Sequence, residues 1–266
     1  MAAKRSITGN TAAQERRIQV QIAESIERTH AAKIARELRR AYIDIAMARM
    51  NGLFVEAVQK HKDNMLTIME KMYTRTWQVY GRRMFKLTKS DGEFETKDAI
   101  TDGFDRARRR WIAEFGSEKV TKIAGTTREQ AIELINAAIT ESIDVEFPLG
   151  ETARAKLIRS TVAKKGGDLS RFRSFLIART EVHNAASVAN HEAAGLVANK
   201  VNKEWLAAEG GDSERSREWH KEMNGVTVAY NDDFIVDGEP MSYPGDPRGS
   251  ARNVINCRCV VAYMPI

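Results

Sequence analysis

The sequence predicts an α+β protein, predominantly α: long N-terminal and central helices followed by a small C-terminal α+β domain with a short antiparallel sheet. Three observations carry that prediction. Apolar residues recur at helical spacing from about position 11 to position 195, beginning with Ile18, Ile22 and Ile26. Nothing in that span alternates convincingly like a strand. Beyond Gly195 the pattern changes to alternation over 201–206, and Val254, Ile255, Val260 and Val261 give a β-branched run near the end.

The 266 residues amount to one large or two modest domains. Lys+Arg 42 against Asp+Glu 36 leaves a net charge of +6, which permits contact with nucleic acid or an acidic partner and requires neither. No apolar stretch approaches the length of a bilayer span, so no membrane partner is expected. The opening MAAKRSITGN has no apolar segment behind its charges and does not read as a secretory signal. Two cysteines cannot build a disulfide framework, which fits a reducing compartment and an intracellular, soluble chain.

The elements follow in order. Residues 1–10 read as a flexible tail and 11–120 as a helical region. Its first helix continues the isoleucine stripe through Ile34, Leu38, Tyr42 and Ile45. That stripe is narrow and flanked by charge, so Ile18, Ile22 and Ile26 are candidates for packing against another long helix or another chain, as well as for an ordinary surface helix. Asn51-Gly52 breaks the helix. Met65, Met69, Met72, Tyr73 and Tyr80 then form a stripe that reads as core. Thr88-Lys-Ser-Asp-Gly92 is a loop, and helix returns over 98–115 with Phe104 and Trp111 on one side.

In the central helical part, 121–198, Thr126-Thr-Arg-Glu129 has the pattern of a capping box and predicts a helix start. A short helix over 152–164 should stop at Gly166-Gly167, and another should run from Ser170 to about Gly195. The C-terminal domain, 199–266, begins with the strand over 201–206. Gly210-Gly211-Asp212 breaks it, with Asp212 placed to cap a brief helix reaching Asn224. Short strands and turns fill 227–241, Tyr243-Pro-Gly-Asp-Pro247 is a rigid loop, and a strand over 253–264 should pair with the one carrying Trp205.

Chemistry concentrates in Asn256-Cys-Arg-Cys259. On a strand, residues two apart share a face about 6.6–6.8 Å apart, which suits two thiolates holding zinc better than a mutual disulfide. His220 is the best third ligand; His183, Glu181 and Asp212 are weaker ones. The same two cysteines read equally as small buried hydrophobes. Arg179, Glu181, Asp212, Arg215 and Arg217 form a candidate structural polar network, with salt links from the helix bearing Arg179 to the C-terminal sheet. Arg106, Arg108, Arg109, Arg110, Lys164 and Lys165 are candidate phosphate contacts for non-specific double-stranded DNA, although a solvated helix face explains either cluster. No catalytic residue is assigned.

The ordered set Lys122-Ile-Ala-Gly-Thr-Thr127, Ile177-Ala-Arg-Thr-Glu181, Trp205, Arg215-Ser-Arg217, His220, Gly225, Pro244-Gly-Asp-Pro247 and Asn256-Cys-Arg-Cys259 resembles the phage Mu F-like head morphogenesis family, minor head proteins of tailed bacteriophages. The resemblance runs from about residue 120 to the end, with Asp212 one position further from the Arg-x-Arg stretch than in the family's pattern. It implies a structural, non-enzymatic role at the portal vertex during procapsid assembly, in the host cytoplasm and then in the virion. It also implies the portal protein as partner, with major capsid or scaffold protein and packaged DNA as further ones, and a share in DNA packaging or ejection. The reading from another class is a zinc-dependent hydrolase or nuclease built on Asp212, His220, Cys257 and Cys259.

Overall fold

The computed structural model describes residues 5–87, 97–143, 150–197, 201–208, 214 and 216–266. The loop over 88–92, the 147–149 segment, the glycine break over 210–211, Asp212 and Arg215 lie outside the described residues. Long helices dominate: α1 (Ala12–Met50), α2 (Phe54–Leu87), α3 (Lys97–Trp111), a π-helical turn (Ile112–Gly116), α4 (Ser117–Ile143) and α5 (Glu151–Val197). The C-terminal part holds β1 (Val201–Leu206), α6 (Glu218–Glu222), β2 (Thr227–Ala229), β3 (Phe234–Val236), β4 (Glu239–Met241), α7 (Ala251–Val254) and β5 (Val260–Pro265). The protein is thus α+β and mainly α, as its hydrophobic periodicity predicts. No described helix is long and apolar enough to cross a membrane.

The chain forms two compact units that interleave along the sequence. One comprises 28–71 and 113–178. Its centre is Tyr42, fully buried, whose hydroxyl donates to Gln130 Oε1 at 2.6 Å and accepts from Arg173 Nη1 at 2.8 Å. Arg173 Nη1 also donates to Thr127 Oγ1 at 3.0 Å, which gives the buried threonine of the 122–127 motif its role. Gly166 lies against the Tyr42 ring, and a Cβ there would stand 3.0 Å from Tyr42 Cβ. Met65 and Met69 are buried as core.

The other unit comprises 1–27, 72–112 and 179–266 and contains all the strands among the described residues. An aromatic cluster of Tyr73, Trp77, Phe104 and Trp111 packs edge-on or tilted, with ring centroids 5.0–6.2 Å apart. The alanines of α5, Ala185, Ala186, Ala189 and Ala193, are buried. The main sheet is antiparallel, in the order β2-β1-β5, with Trp205 opposite Val261. A separate β3-β4 hairpin turns through Asp237-Gly238, both at positive φ (51° and 78°), as a two-residue turn of the primed type requires.

Several expectations need correction. Gly166-Gly167 does not stop a helix: α5 runs unbroken through it, because Tyr42 occupies the space a side chain would need. Thr126 does not open a helix either; α4 begins at Ser117, and Thr126 Oγ1 donates back to Lys122 O at 3.1 Å, the bond a mid-helix threonine makes. The terminal strand starts at Val260 rather than 253, since Asn253 belongs to α7. Residues 5–10 are anchored rather than frayed. Ser6 and Thr8 are buried, and Ile7 N donates to Tyr263 O at 2.7 Å on the outer edge of β5. Gln19 Nε2 donates to Val261 O at 2.9 Å on that same edge. Ile26 is buried, while Ile18 and Ile22 are half-buried.

Candidate functional site

The site assembles from three pieces of one unit: α5 from Arg179 onward, the short helix α6, and the segment from α7 into β5. Asn253 on α7 is fully buried and fixes the chemistry of its neighbours. Its Oδ1 accepts from Trp219 Nε1 at 2.7 Å. An indole nitrogen only donates, so the amide oxygen must face it. The amide nitrogen then donates to Glu239 Oε2 at 2.8 Å and Val236 O at 3.3 Å. His220 Nε2 lies 3.2 Å from the same Oδ1 and must therefore be the protonated nitrogen. The lone pair of a neutral His220 consequently sits on Nδ1, which faces Cys257 Sγ at 3.6 Å and Cys259 Sγ at 3.5 Å.

The ring and both sulfurs are buried, at 2%, 2% and 1% exposure, and their ligand atoms lie within 4.8 Å of one another. Cys259 acts as donor to Cys257, and that bond, with help from His183 and His220, holds the Cys257 thiol well below its usual range despite burial. The same bond, together with burial, pushes the Cys259 thiol well up. The amide of Ala208 and the indole of Trp205, both N–H groups near the Cys259 sulfur, oppose that rise. Two sulfurs and an unprotonated imidazole nitrogen form a donor set that soft divalent metals take.

A turn at Asn256 brings the sulfurs there. Asn256 has φ 59°, a left-handed conformation that asparagine tolerates better than most residues. Two successive residues of α5 hold it: Thr180 Oγ1 accepts from Asn256 N at 3.1 Å, and Arg179 Nη1 donates to Asn256 Oδ1 at 3.2 Å. The Arg-Thr-Glu and Asn-Cys-Arg-Cys motifs, about 76 residues apart, are therefore two halves of one latch. Residues 148–262 match the family described as Phage Mu protein F like protein. This stretch of the chain is similar to that family. An uncharacterized protein, YqbB, of Bacillus subtilis (strain 168) is 33% identical over 158 residues, which cover 57% of this chain and 47% of that protein. The chain thus spans about half the length of this curated relative. No solved structure matches the chain.

Other motif residues of the Mu F-like region have equally local tasks. Gly245, in the Pro-Gly-Asp-Pro loop, has φ 81°, and a Cβ there would stand 2.4 Å from Asn184 Oδ1 and 3.3 Å from His183 Cδ2 on α5. Asp246 beside it is buried, accepting from Ser242 N at 2.7 Å and Arg248 N at 2.9 Å. Arg217 precedes α6, and its Nη2 donates to Ile255 O at 2.8 Å. Glu181 accepts from Tyr73 OH at 2.9 Å. Arg179 and Arg217 thus both bond to the turn at 255–256.

His220, Cys257 and Cys259 come together as the motif spacing suggests, although the cysteines precede β5 instead of riding on it. Among the phosphate candidates, Arg108 is committed internally, to Asp105 at 3.2 Å and Thr74 Oγ1 at 3.2 Å. Arg106, Arg109 and Arg110 are exposed, with Arg110 3.9 Å from Glu192. Lys164 and Lys165 are exposed in the other unit, Lys165 paired with Glu141. Sequence reasoning missed Asn253, Arg258 and Lys203, polar residues whose burial no periodicity betrays. Lys203 is fully buried, and burial draws its pKa down to about 8. Its Nζ donates to Ser242 O at 2.9 Å and lies 5.3 Å from the centre of the Phe234 ring.

Proposed function

We propose that the chain is a structural minor component of a phage head that acts in head morphogenesis at the portal vertex, and that it resides in the virion after assembly in the host cytoplasm. The observation that carries this reading is the Mu F-like match over 148–262. The latch between Arg179, Thr180 and Asn256 supports it, because it gives two motifs far apart in sequence a shared structural role. The exposed Arg106, Arg109 and Arg110 favour an additional, sequence-independent contact with packaged DNA.

Co-expression with the portal protein encoded by the same phage tests the reading. Co-elution of the two, and incorporation of the chain into portal-containing procapsids, is the expected result. Procapsids that assemble with portal but without the chain, at unchanged yield, would overturn it. Removing residues 11–50 is not a clean variant, because Ile34, Leu38 and Tyr42 are fully buried. A hydrolase built on His220, Cys257 and Cys259 has less support: all three are buried, which suits a closed structural site better than one holding an open position for water.

A further inference from the structure

We propose that Cys257, Cys259, His220 and His183 form a closed Cys2His2 zinc site that fastens α5 and α6 to the segment leading into β5. This goes beyond the assembly role and holds or fails independently of where the protein acts.

Distances point to the metal. In a tetrahedral site with Zn–S about 2.3 Å and Zn–N about 2.0–2.1 Å, a sulfur and a nitrogen stand about 3.6 Å apart. His220 Nδ1 lies 3.6 Å and 3.5 Å from the two sulfurs. One lone pair facing two thiols is poorly used as a hydrogen-bond acceptor, since only one S–H can reach it at a time; a metal between the three atoms uses all of them. The surroundings are those of a metal–thiolate centre. Asn253 fixes the His220 tautomer from the far side of the ring, as outer-shell partners of ligating histidines do. The backbone N–H of Ala208 approaches the Cys259 sulfur.

His183 supplies the fourth position. It is 4% exposed on α5, its ring meets Cys257, and its Nε2 is buried with no hydrogen-bond partner among the described residues. An orphaned imidazole nitrogen in a protein interior is costly unless something binds it. Its ring now meets Cys257 and stands outside the 4.8 Å group, and its remaining two approaches, to Cys259 and His220, close when the metal enters. Two Zn–S and two Zn–N bonds form, and the protons carried by the thiols leave to solvent. With four protein ligands, all buried, zinc here has no site for substrate and acts as a staple.

The test uses the full chain purified without a histidine tag. Elemental analysis should find one zinc per chain, resistant to dialysis. Cobalt substitution should give thiolate-to-cobalt charge transfer and the intense visible bands of a tetrahedral centre. Chelator competition should show that His183→Ala weakens zinc binding by more than the ~10–100-fold typical of losing an outer-shell partner. His183→Cys, which restores a ligand, should recover most of that loss. Protein lacking stoichiometric zinc, a Cys257–Cys259 disulfide in protein purified under reducing conditions, or a His183→Ala variant that binds zinc as tightly as the parent would each overturn the proposal. The cobalt spectrum of the unaltered protein decides the ligand type even if a variant fails to fold.

Discussion

Arg258 and Glu27 form a two-pronged ion pair, Nη1 to Oε1 at 2.7 Å and Nη2 to Oε2 at 2.9 Å, with both side chains buried. The arginine lies between the two cysteines, so the pair ties that segment to α1 across 231 residues of chain. Removing either partner strands a charge in the interior. Arg258→Ala or Glu27→Ala should therefore cost about 3–5 kcal/mol, read as a lower urea midpoint. Replacing both with apolar residues of similar volume should recover most of that loss, because the desolvation penalty disappears with the charges.

His191 should make the protein acid-sensitive. Burial, reinforced by the charge of Lys203, holds its pKa down to about 3 from the ordinary 6.5. Its ring stacks on Tyr230 at 4.4 Å and Nδ1 lies 3.2 Å from Tyr263 OH; Arg248 adds to the lowering, while Asp246 and Asp233 oppose it. Because the folded pKa lies below the unfolded one, its contribution is fully present above pH 6.5 and is lost as pH falls toward 3. The loss is on the order of 4 kcal/mol. Urea unfolding at stepped pH should show this decline, and His191→Phe, which keeps the stack, should flatten it in that window.

Two glycines at φ 81° separate backbone strain from steric conflict. Gly225→Ala meets nothing within 4 Å and should cost only the left-handed penalty, about 1–2 kcal/mol. Gly245→Ala bears the same penalty and also drives a methyl into Asn184 Oδ1. Its melting temperature should fall further than that of Gly225→Ala.

Buried Asn253 should be worth more than its size suggests. Asn253→Ala leaves Trp219 Nε1 and His220 Nε2 without their shared acceptor, while Glu239 Oε2 keeps its bond from Ser250 N. Each unsatisfied group costs about 1–3 kcal/mol where water cannot reach it. Asn253→Asp keeps the acceptor oxygen for both rings but turns a second carboxylate oxygen toward Glu239 Oε2 and Val236 O, so it should also be strongly destabilised, as measured by chemical denaturation.

DNA contact through α3 predicts a specific salt response. Affinity for double-stranded DNA should fall linearly on a log–log salt plot without regard to sequence. The slope should become shallower by about one for each phosphate contact removed, as in Arg106→Glu or Arg109→Glu. Binding indifferent to salt would exclude this contact.

What was legible in the sequence was whatever local pattern decides. The alternation at 201–206, the break at Asn51-Gly52 and the methionine stripe each follow from short-range periodicity or turn chemistry, and the structure has them. The His220–Cys257–Cys259 grouping was legible because thiols two residues apart constrain each other and only a few histidines were available. Helix boundaries failed where distant packing overrides a local signal: Tyr42 makes Gly166 a contact rather than a stop. Asn253 and Arg258 went unseen for the same reason, since their partners lie well away in sequence and ordinary polar residues carry no mark of burial.

The short segment before α1 has a practical bearing on how the chain should be handled. Ile7 and Gln19 occupy the outward carbonyls of Tyr263 and Val261, so β5 presents no open flank there. A truncation that begins at Thr11 would strip away the first of these covers and leave Tyr263 O bare. Uncovered strand flanks recruit one another. Shortened versions of this protein should therefore self-associate through β5, and dimers seen only with such versions would be artefacts of trimming.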